Sequence, residues 1–295
     1  MGSTASGKSA LAVEVAHRCP DVELVSVDSM QVYRGMDIGT AKPSPAEQGE
    51  VPVHLLDLAE PCEEYSVAAF QAAARATVAA IEDRGHRALL VGGTGLYLRA
   101  VVDGLQLPAQ WPQVRAELEE EPDTAVLYRR LEEADPAAAA RMEPANRRRV
   151  VRALEVVVGS GRPFSSFGLG LDVHPATRFR LAGVWLPRPV VSERITVRLQ
   201  AMVANGFVDE VRALLARPGG LSRTAGQALG YREVLRHVAG DCTLEEAVAE
   251  AVRRTRAFAR RQRMWFRRDP RVTWYGASEH PVAVLPALLG DWEDQ

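Results

Sequence analysis

The first nine residues, Met1-Gly2-Ser3-Thr4-Ala5-Ser6-Gly7-Lys8-Ser9, are of the types and spacing that hold a chain of phosphates. Gly2 to Ser9 fits G-x-x-x-x-G-K-[ST] without a mismatch. Two glycines let the backbone curl so that successive N–H groups point inward as an anion nest. A helix starting near Gly7 adds its positive N-terminal end. Lys8 is a mobile point charge for the outer phosphates, and the Ser9 hydroxyl is a ligand for Mg²⁺. A chance glycine-rich turn would look similar. The helical run Ala10 to Ala16 that follows argues for the motif.

Two more loops belong beside this one. Val22 to Val27 is a β-rich run expected to be a buried strand, and it ends at Asp28-Ser29-Met30-Gln31-Val32-Tyr33. Ala88 to Val91 is the next expected buried strand, running into Gly92-Gly93-Thr94-Gly95-Leu96-Tyr97. Ligands of open α/β sheets bind beyond the carboxyl ends of the strands, so all three loops should meet at one edge. There Asp28 is a carboxylate able to accept a proton from an attacking group, though a capping or ion-pairing role fits it equally well. Thr94 is a hydroxyl that its glycine neighbours allow close to a ligand, or a plain turn residue.

A third group is cationic. Arg147, Arg148, Arg149 and Arg152 share one short helix, and Arg194 and Arg198 form an i, i+4 pair on another. Arg253, Arg256, Arg260, Arg263 and Arg267 are three and four apart, which places them in one stripe. Between Arg253 and Arg268 there are eight arginines and no acid. A solvated face normally mixes signs, so a nucleic-acid backbone is the natural partner, with packing on an acidic surface as the alternative. Phe258 and Trp265 mark an apolar side of that helix. Residues 1–135 carry a net charge of −11 and residues 136–295 one of +9, which points the same way. His54, His86 and His174 read as isolated, with no metal role. Cys19, Cys62 and Cys242 are too few and scattered for zinc or a disulfide framework.

The elements that must position these groups alternate strand and helix, which predicts an α/β fold with a mainly parallel sheet flanked by helices. Val53 to Leu58 is a possible short strand and Tyr65 to Arg84 a helix capped by Ser66. The prolines from Pro108 to Pro112 read as a hinge before a small helical insertion over 109–145. The core is expected to be 1–108 with 146–295. Phe179 to Leu186 should return to the sheet, and the rest reads as helical: Val190 to Ala204, Val208 to Ala216, Arg223 to Ala239 and Leu244 to Arg268. With 47% hydrophobic and 25% charged residues, and no apolar run of membrane-spanning length, the expectation is a cytoplasmic protein with no membrane partner.

These stretches, in this order, closely resemble the tRNA dimethylallyltransferase (tRNA isopentenyltransferase, IPP transferase) family of bacterial type. The resemblance rests on Gly2–Ser9, the run from Asp28 to Pro43, Gly92–Tyr97, Arg152–Val156, Gln227–Arg232 and Arg260–Arg267. It implies a P-loop NTPase-like fold with a helical C-terminal region, working as a monomer. It implies transfer of the dimethylallyl group of dimethylallyl diphosphate to N6 of the adenosine just 3′ of the anticodon (position 37). The tRNAs concerned read codons beginning with U, and diphosphate is released. Asp28 would then be the base, and Thr94 would help stabilise the leaving group. Gly2, Thr4, Ala5, Ser6, Gly7, Lys8, Ser9 and Arg198 would hold the diphosphate, with Mg²⁺ on Ser9. Contacts to the tRNA anticodon stem-loop are implied for Asp28, Ser29, Met30, Gln31, Thr94, Arg115, Arg148, Arg149 and Arg152. They are also implied for Gln227, Gly230, Tyr231, Arg232, Arg260, Arg261, Gln262, Arg263, Trp265 and Arg267.

Three departures stand out. Ser3 occupies a position where the family usually has Pro, and Asn146 one where an acid is common. The strand expected before the phosphate loop is missing, so the true start is expected upstream. The residues alone also admit a P-loop kinase of a small metabolite, or a nucleotide-gated RNA-binding protein.

Overall fold

The phosphate loop runs into helix α1 (Lys8–Arg18), which buries Leu11, Ala12, Val15 and Ala16 along one face. Strand β1 (Val22–Val27) is buried at every position. Helix α2 (Pro45–Glu50), strand β2 (Val53–His54), helix α3 (Val67–Asp83), strand β3 (Arg87–Gly92) and helix α4 (Gly95–Val102) follow. Ser66 caps α3 by accepting from the Ala69 N–H. Phe70, Ala74, Val78 and Ile81 form the buried stripe of α3, and Phe70 meets Tyr97 at 4.7 Å between ring centroids. The computed structural model describes residues 1–168 and 170–293. It divides into two units, Met1–Val102 with Thr177–Gln295, and Asp103–Ala176.

In the first unit β1 lies between β2 and β3 in a parallel sheet. Val27 is in register with Gly92, so Asp28 and Gly93 leave the sheet side by side. The strand expected over Val53 to Leu58 shrinks to two residues. Leu55 (φ 66) and Asp57 (φ 55) are left-handed there, which no ladder accommodates. β3 was expected to be buried, yet Ala88 to Val91 are only half-buried. Its edge away from β1 has no paired strand among the described residues.

The second unit holds α5 (Pro112–Glu120), α6 (Thr124–Ala134), α7 (Pro136–Ala139) and α8 (Arg147–Ser160). It is wider than the expected 109–145. Val150, Val151 and Leu154 of α8 pack with Leu118, Leu127 and Leu131 in its own core, so α8 belongs with the insertion. Arg147 donates to the carbonyls of Glu119, Glu121 and Pro122, closing the exposed C-terminal end of α5.

The first unit resumes with β4 (Leu181–Trp185), α9 (Arg188–Ala204), α10 (Phe207–Leu215), α11 (Arg223–Gly226), α12 (Tyr231–Val238), α13 (Leu244–Phe266), β5 (Val272–Gly276) and α14 (Leu285–Glu293). β4 does not return to the three-stranded sheet as expected. It pairs in parallel with β5, a strand the sequence reading passed over. The Met1 nitrogen donates to Ala182 O at 2.6 Å, and Val184 N–H donates to Met1 O at 2.9 Å. The phosphate loop is therefore launched from the side of β4. The single helix expected over Arg223 to Ala239 is broken at Gly230, whose φ of 88° a helix interior excludes.

His54 and His86 are not isolated. Glu23, on β1, is buried; its carboxylate lies 2.6 Å from His54 Nε2 and 2.8 Å from His86 Nδ1, and accepts from Arg84 at 2.8 and 2.9 Å. This locks β1 to both neighbouring strands at the end away from the three loops. Burial opposes the charge, but Arg84, His54 and His86 together hold the carboxyl down at about 2. A carboxyl lowered on folding stabilises above its unfolded value and loses that contribution as pH falls through the folded one. Glu23→Gln should therefore cost about 1–3 kcal/mol at pH 7. The difference from wild type should vanish as pH approaches about 2, read by urea unfolding across pH. A constant difference at all pH would refute the linkage.

Candidate functional site

The Gly2–Ser9 loop takes its curvature from Ala5 (φ 61) and Gly7 (φ 81), and the Ser6 N–H closes a turn onto Ser3 O at 3.2 Å. Gly7 is needed twice over: its φ is left-handed, and a Cβ there would meet Pro281 at 2.1 Å. Two arginines on α9 brace the loop from outside. Arg194 Nε donates to Ala5 O at 3.1 Å, and Arg198 Nη2 donates to Thr4 Oγ1 at 3.1 Å. Sequence reasoning paired Arg194 with Arg198 but gave it no place at the site; the i, i+4 spacing was the available signal. Burial pushes the Lys8 amine down to about 8, with the Asp28 carboxylate opposing and Arg198 adding to the fall. Arg198 is lowered by burial too, again opposed by Asp28. The loop is thus a desolvated cluster of cations with Asp28 as the carboxylate that reaches them. It is built to receive a polyanion.

Asp28 and Thr94 sit on the same rim. Asp28 Oδ1 accepts from the Met30 N–H at 2.9 Å, which fixes the turn after β1. Ser29 N–H donates to Thr94 Oγ1 at 3.2 Å, tying that turn to the loop after β3. Gln31 is occupied internally: Ser26 Oγ meets its Oε1 at 2.7 Å, and its Nε2 donates to Thr40 O and Ala41 O, each at 3.2 Å. Met30 packs against the core. The following loop is pinned by buried Lys42, which pairs with Asp37 and Asp57. Glu210 pins it too, accepting from the N–H groups of Asp37, Ile38 and Gly39. Nothing in the residues around Glu210 marks it for this part.

The profile of the IPP transferase family matches residues 31–269. A tRNA dimethylallyltransferase of Streptomyces coelicolor is 49% identical over 292 residues, covering 98% of this chain and 92% of that protein. The chain belongs to this family. The crystal structure of a Bacillus halodurans tRNA isopentenylpyrophosphate transferase superposes with a TM-score of 0.71 at 36% identity, covering 99% of this chain and 95% of the other. A eukaryotic dimethylallyltransferase acting on tRNA superposes at 0.78 with 23% identity, covering 99% of this chain and 74% of that one, and shares the fold.

The residues expected to touch RNA in an IPP transferase divide by burial. In the first unit Gln227, Arg232, Arg260, Arg261 and Arg267 are exposed. Arg263 stacks over Trp185 at 5.2 Å, beside a cavity of about 180 Å³ lined by Ser3, Trp185, Ile195 and Arg260 among others. Arg260, Arg261, Arg263, Arg267 and Arg268 make no ion pair among the described residues. By contrast Arg253 pairs with Glu250 and Arg254 with Glu233, each at 2.6 Å, so the stripe is neutralised at its start. Trp265 is half-buried against Gly95. Gly230 and Tyr231 are buried, and the Tyr231 hydroxyl donates to Glu210 at 2.6 Å, so neither presents a surface to RNA. Gln262 is buried as well. In the second unit Arg148 and Arg149 are exposed, while Arg115 pairs with Glu119 at 3.0 Å. Arg152 donates to Pro108 O and Ala109 O at 2.8 and 2.9 Å, bonds within the second unit, whose boundary lies at Asp103 rather than at the prolines read as a hinge.

The lowered Lys8 amine gives a pH signature. A base lowered by burial sheds its proton as pH rises through about 8, so inorganic diphosphate should bind with constant affinity below that value and weaken above it. Lys8→Met should bind poorly at every pH, lack this limb, and melt no lower than wild type, because a desolvated charge has been removed. Calorimetric titration across pH and thermal melts check both.

Proposed function

We propose that this chain transfers the dimethylallyl group of dimethylallyl diphosphate to N6 of the adenosine at position 37, 3′ to the anticodon, in tRNAs reading codons that begin with U. What carries the reading is one rim holding both a desolvated cation cradle and Asp28. The diphosphate binds through the loop N–H groups other than those of Thr4 and Ser6, which donate to Gln262 and Ser3, and through Lys8, Arg194 and Arg198. As N6 attacks the allylic carbon, the carbon–oxygen bond breaks and its electron pair leaves on the diphosphate. The cradle opposes that growing charge, and one such preorganised donor is worth about 3–4 kcal/mol. The N6 proton passes to Asp28, while the Thr94 hydroxyl is placed to donate to the departing diphosphate. Family membership favours this reaction over the small-molecule kinase that the phosphate loop alone admits.

Ser9 is exposed on the first turn of α1, directly after Lys8. Among the described residues no group of three His, Cys, Asp or Glu could hold a metal. That donor set suits Mg²⁺ carried in on the diphosphate, since Mg²⁺ keeps several waters and takes few protein ligands. When bound it would add positive charge at the leaving oxygens. The adenine leaves its stack to reach the rim, and the α13 arginines that make no ion pair among the described residues hold the anticodon stem-loop. Cradle and base lie in one chain, which supports a monomeric enzyme; no helix among the described residues is long and apolar enough to cross a membrane. We place it in the cytoplasm, with its tRNA.

Wild-type protein, labelled dimethylallyl diphosphate, unmodified tRNA and Mg²⁺ should put label into tRNA; ATP consumed without label would instead support the kinase. Asp28→Asn, which keeps the acceptor to Met30, should lower kcat by about 10²–10⁴ and leave tRNA affinity intact. Full activity in that variant would remove Asp28 as the base. Arg260→Ala should weaken tRNA binding and reduce the salt slope by about 1; an unchanged slope would exclude a phosphate contact.

A further inference from the structure

We infer that Gln262 is a positioning residue that holds the phosphate loop and the Thr94 loop at a fixed separation, an inference that rests on the prenyl-transfer reading. Its side chain is 8% exposed. Oε1 accepts from the Thr4 N–H at 2.8 Å, and Nε2 donates to Gly93 O at 2.7 Å. Each end of the amide thus has a partner inside the protein, and the residue is buried.

The partners give this bridge its meaning. Thr4 is also the residue whose hydroxyl accepts from Arg198, so one end of the amide lies in the cradle. Gly93 precedes Thr94, whose hydroxyl accepts from the Ser29 N–H, next to Asp28. One side chain therefore completes a path from the cation that braces the cradle to the turn that carries the base. The second and third loops are joined by the β1–β3 ladder, whereas the phosphate loop follows Met1, which bonds to β4, and Gln262 ties it to the Thr94 loop. The bridge needs an acceptor and a donor at one tip, which an amide provides and neither a carboxylate nor a hydrocarbon does. A Cβ at residue 93 would stand 2.6 Å from Nε2, so the bridge also fixes the glycine. Gln262 rides on α13 between Arg261 and Arg263, so the helix that faces RNA is keyed to both loops by the same residue. Transfer requires reacting atoms about 3–3.5 Å apart, and a displacement near 1 Å costs about 10²-fold.

The test compares Gln262→Met, of similar length with no hydrogen bonds, and Gln262→Glu with wild type. It reads kcat, both KM values, tRNA Kd, Kd for inorganic diphosphate, and melting temperature. The methionine variant should lose about 10–100-fold in kcat and bind diphosphate more weakly, with tRNA Kd within about twofold. In the glutamate variant the charged carboxylate faces Gly93 O and should be poorly active. Burial raises the introduced carboxyl's pKa, and once protonated it can accept from Thr4 and donate to Gly93 as the amide does. Its kcat relative to wild type should therefore recover as pH is lowered from about 8 to about 6, a response that a merely structural residue would not give. Loss of tRNA affinity with kcat intact would make Gln262 an RNA contact and overturn the inference, as would full activity of the methionine variant or no recovery in the glutamate variant. If the methionine variant does not fold, the pH response decides. If wild type transfers no label, the reaction assigned above fails, while the diphosphate affinities still report whether Gln262 holds the cradle.

Discussion

Positive charge held out of water is the constraint around which this molecule is arranged. Lys8 and Arg198 are half-buried and act on each other, Arg194 acts on Arg198, and the carboxylate that reaches them is Asp28. Such a cluster is unfavourable until an anion arrives, so the surrounding structure must force it into place. The forcing is visible in the backbone: a non-glycine residue at φ 61, a glycine packed against Pro281, and carbonyl and hydroxyl oxygens of the loop taken up by α9.

The second demand is alignment. A cradle and a proton acceptor on separate loops are useful only at one distance. The parallel register of β1 and β3 brings Asp28 and the Thr94 hydroxyl to the same edge, and α13 links that edge to the phosphate loop. That helix works on two sides. Ala251, Thr255, Ala259, Gln262 and Phe266 are buried at helical spacing, while Arg260, Arg261 and Arg267 are exposed. Burial, then Arg267 and Arg188, lower the Arg263 guanidinium.

Away from the loops the same logic appears in reverse. Glu23 is a buried anion that the fold satisfies completely with Arg84, His54 and His86. It anchors the far end of the three-stranded sheet and leaves the near end free to carry chemistry. The contrast with Lys8 separates a structural charge from a functional one: the first has its partners in the chain, and the second awaits them.

What the chain determines locally was legible in its residues. The phosphate loop, α1, Ser66 as a cap, and Asn146 and Gly161 at the ends of α8 depend on backbone conformations that a few adjacent residues impose. Val272-Thr-Trp-Tyr carried a strand signal of the same local kind that was passed over. What required tertiary structure was direction and partnership. Whether Tyr231 and Gln262 face RNA or the interior depends on which helix face meets the core. His54 and His86 find Glu23 only once three strands are in register, and β4 chooses β5 over the first sheet through contacts between residues some ninety apart. Sequence fixes the groups and their local turns because those are short-range; only the packed fold decides which atoms they meet, because that is long-range.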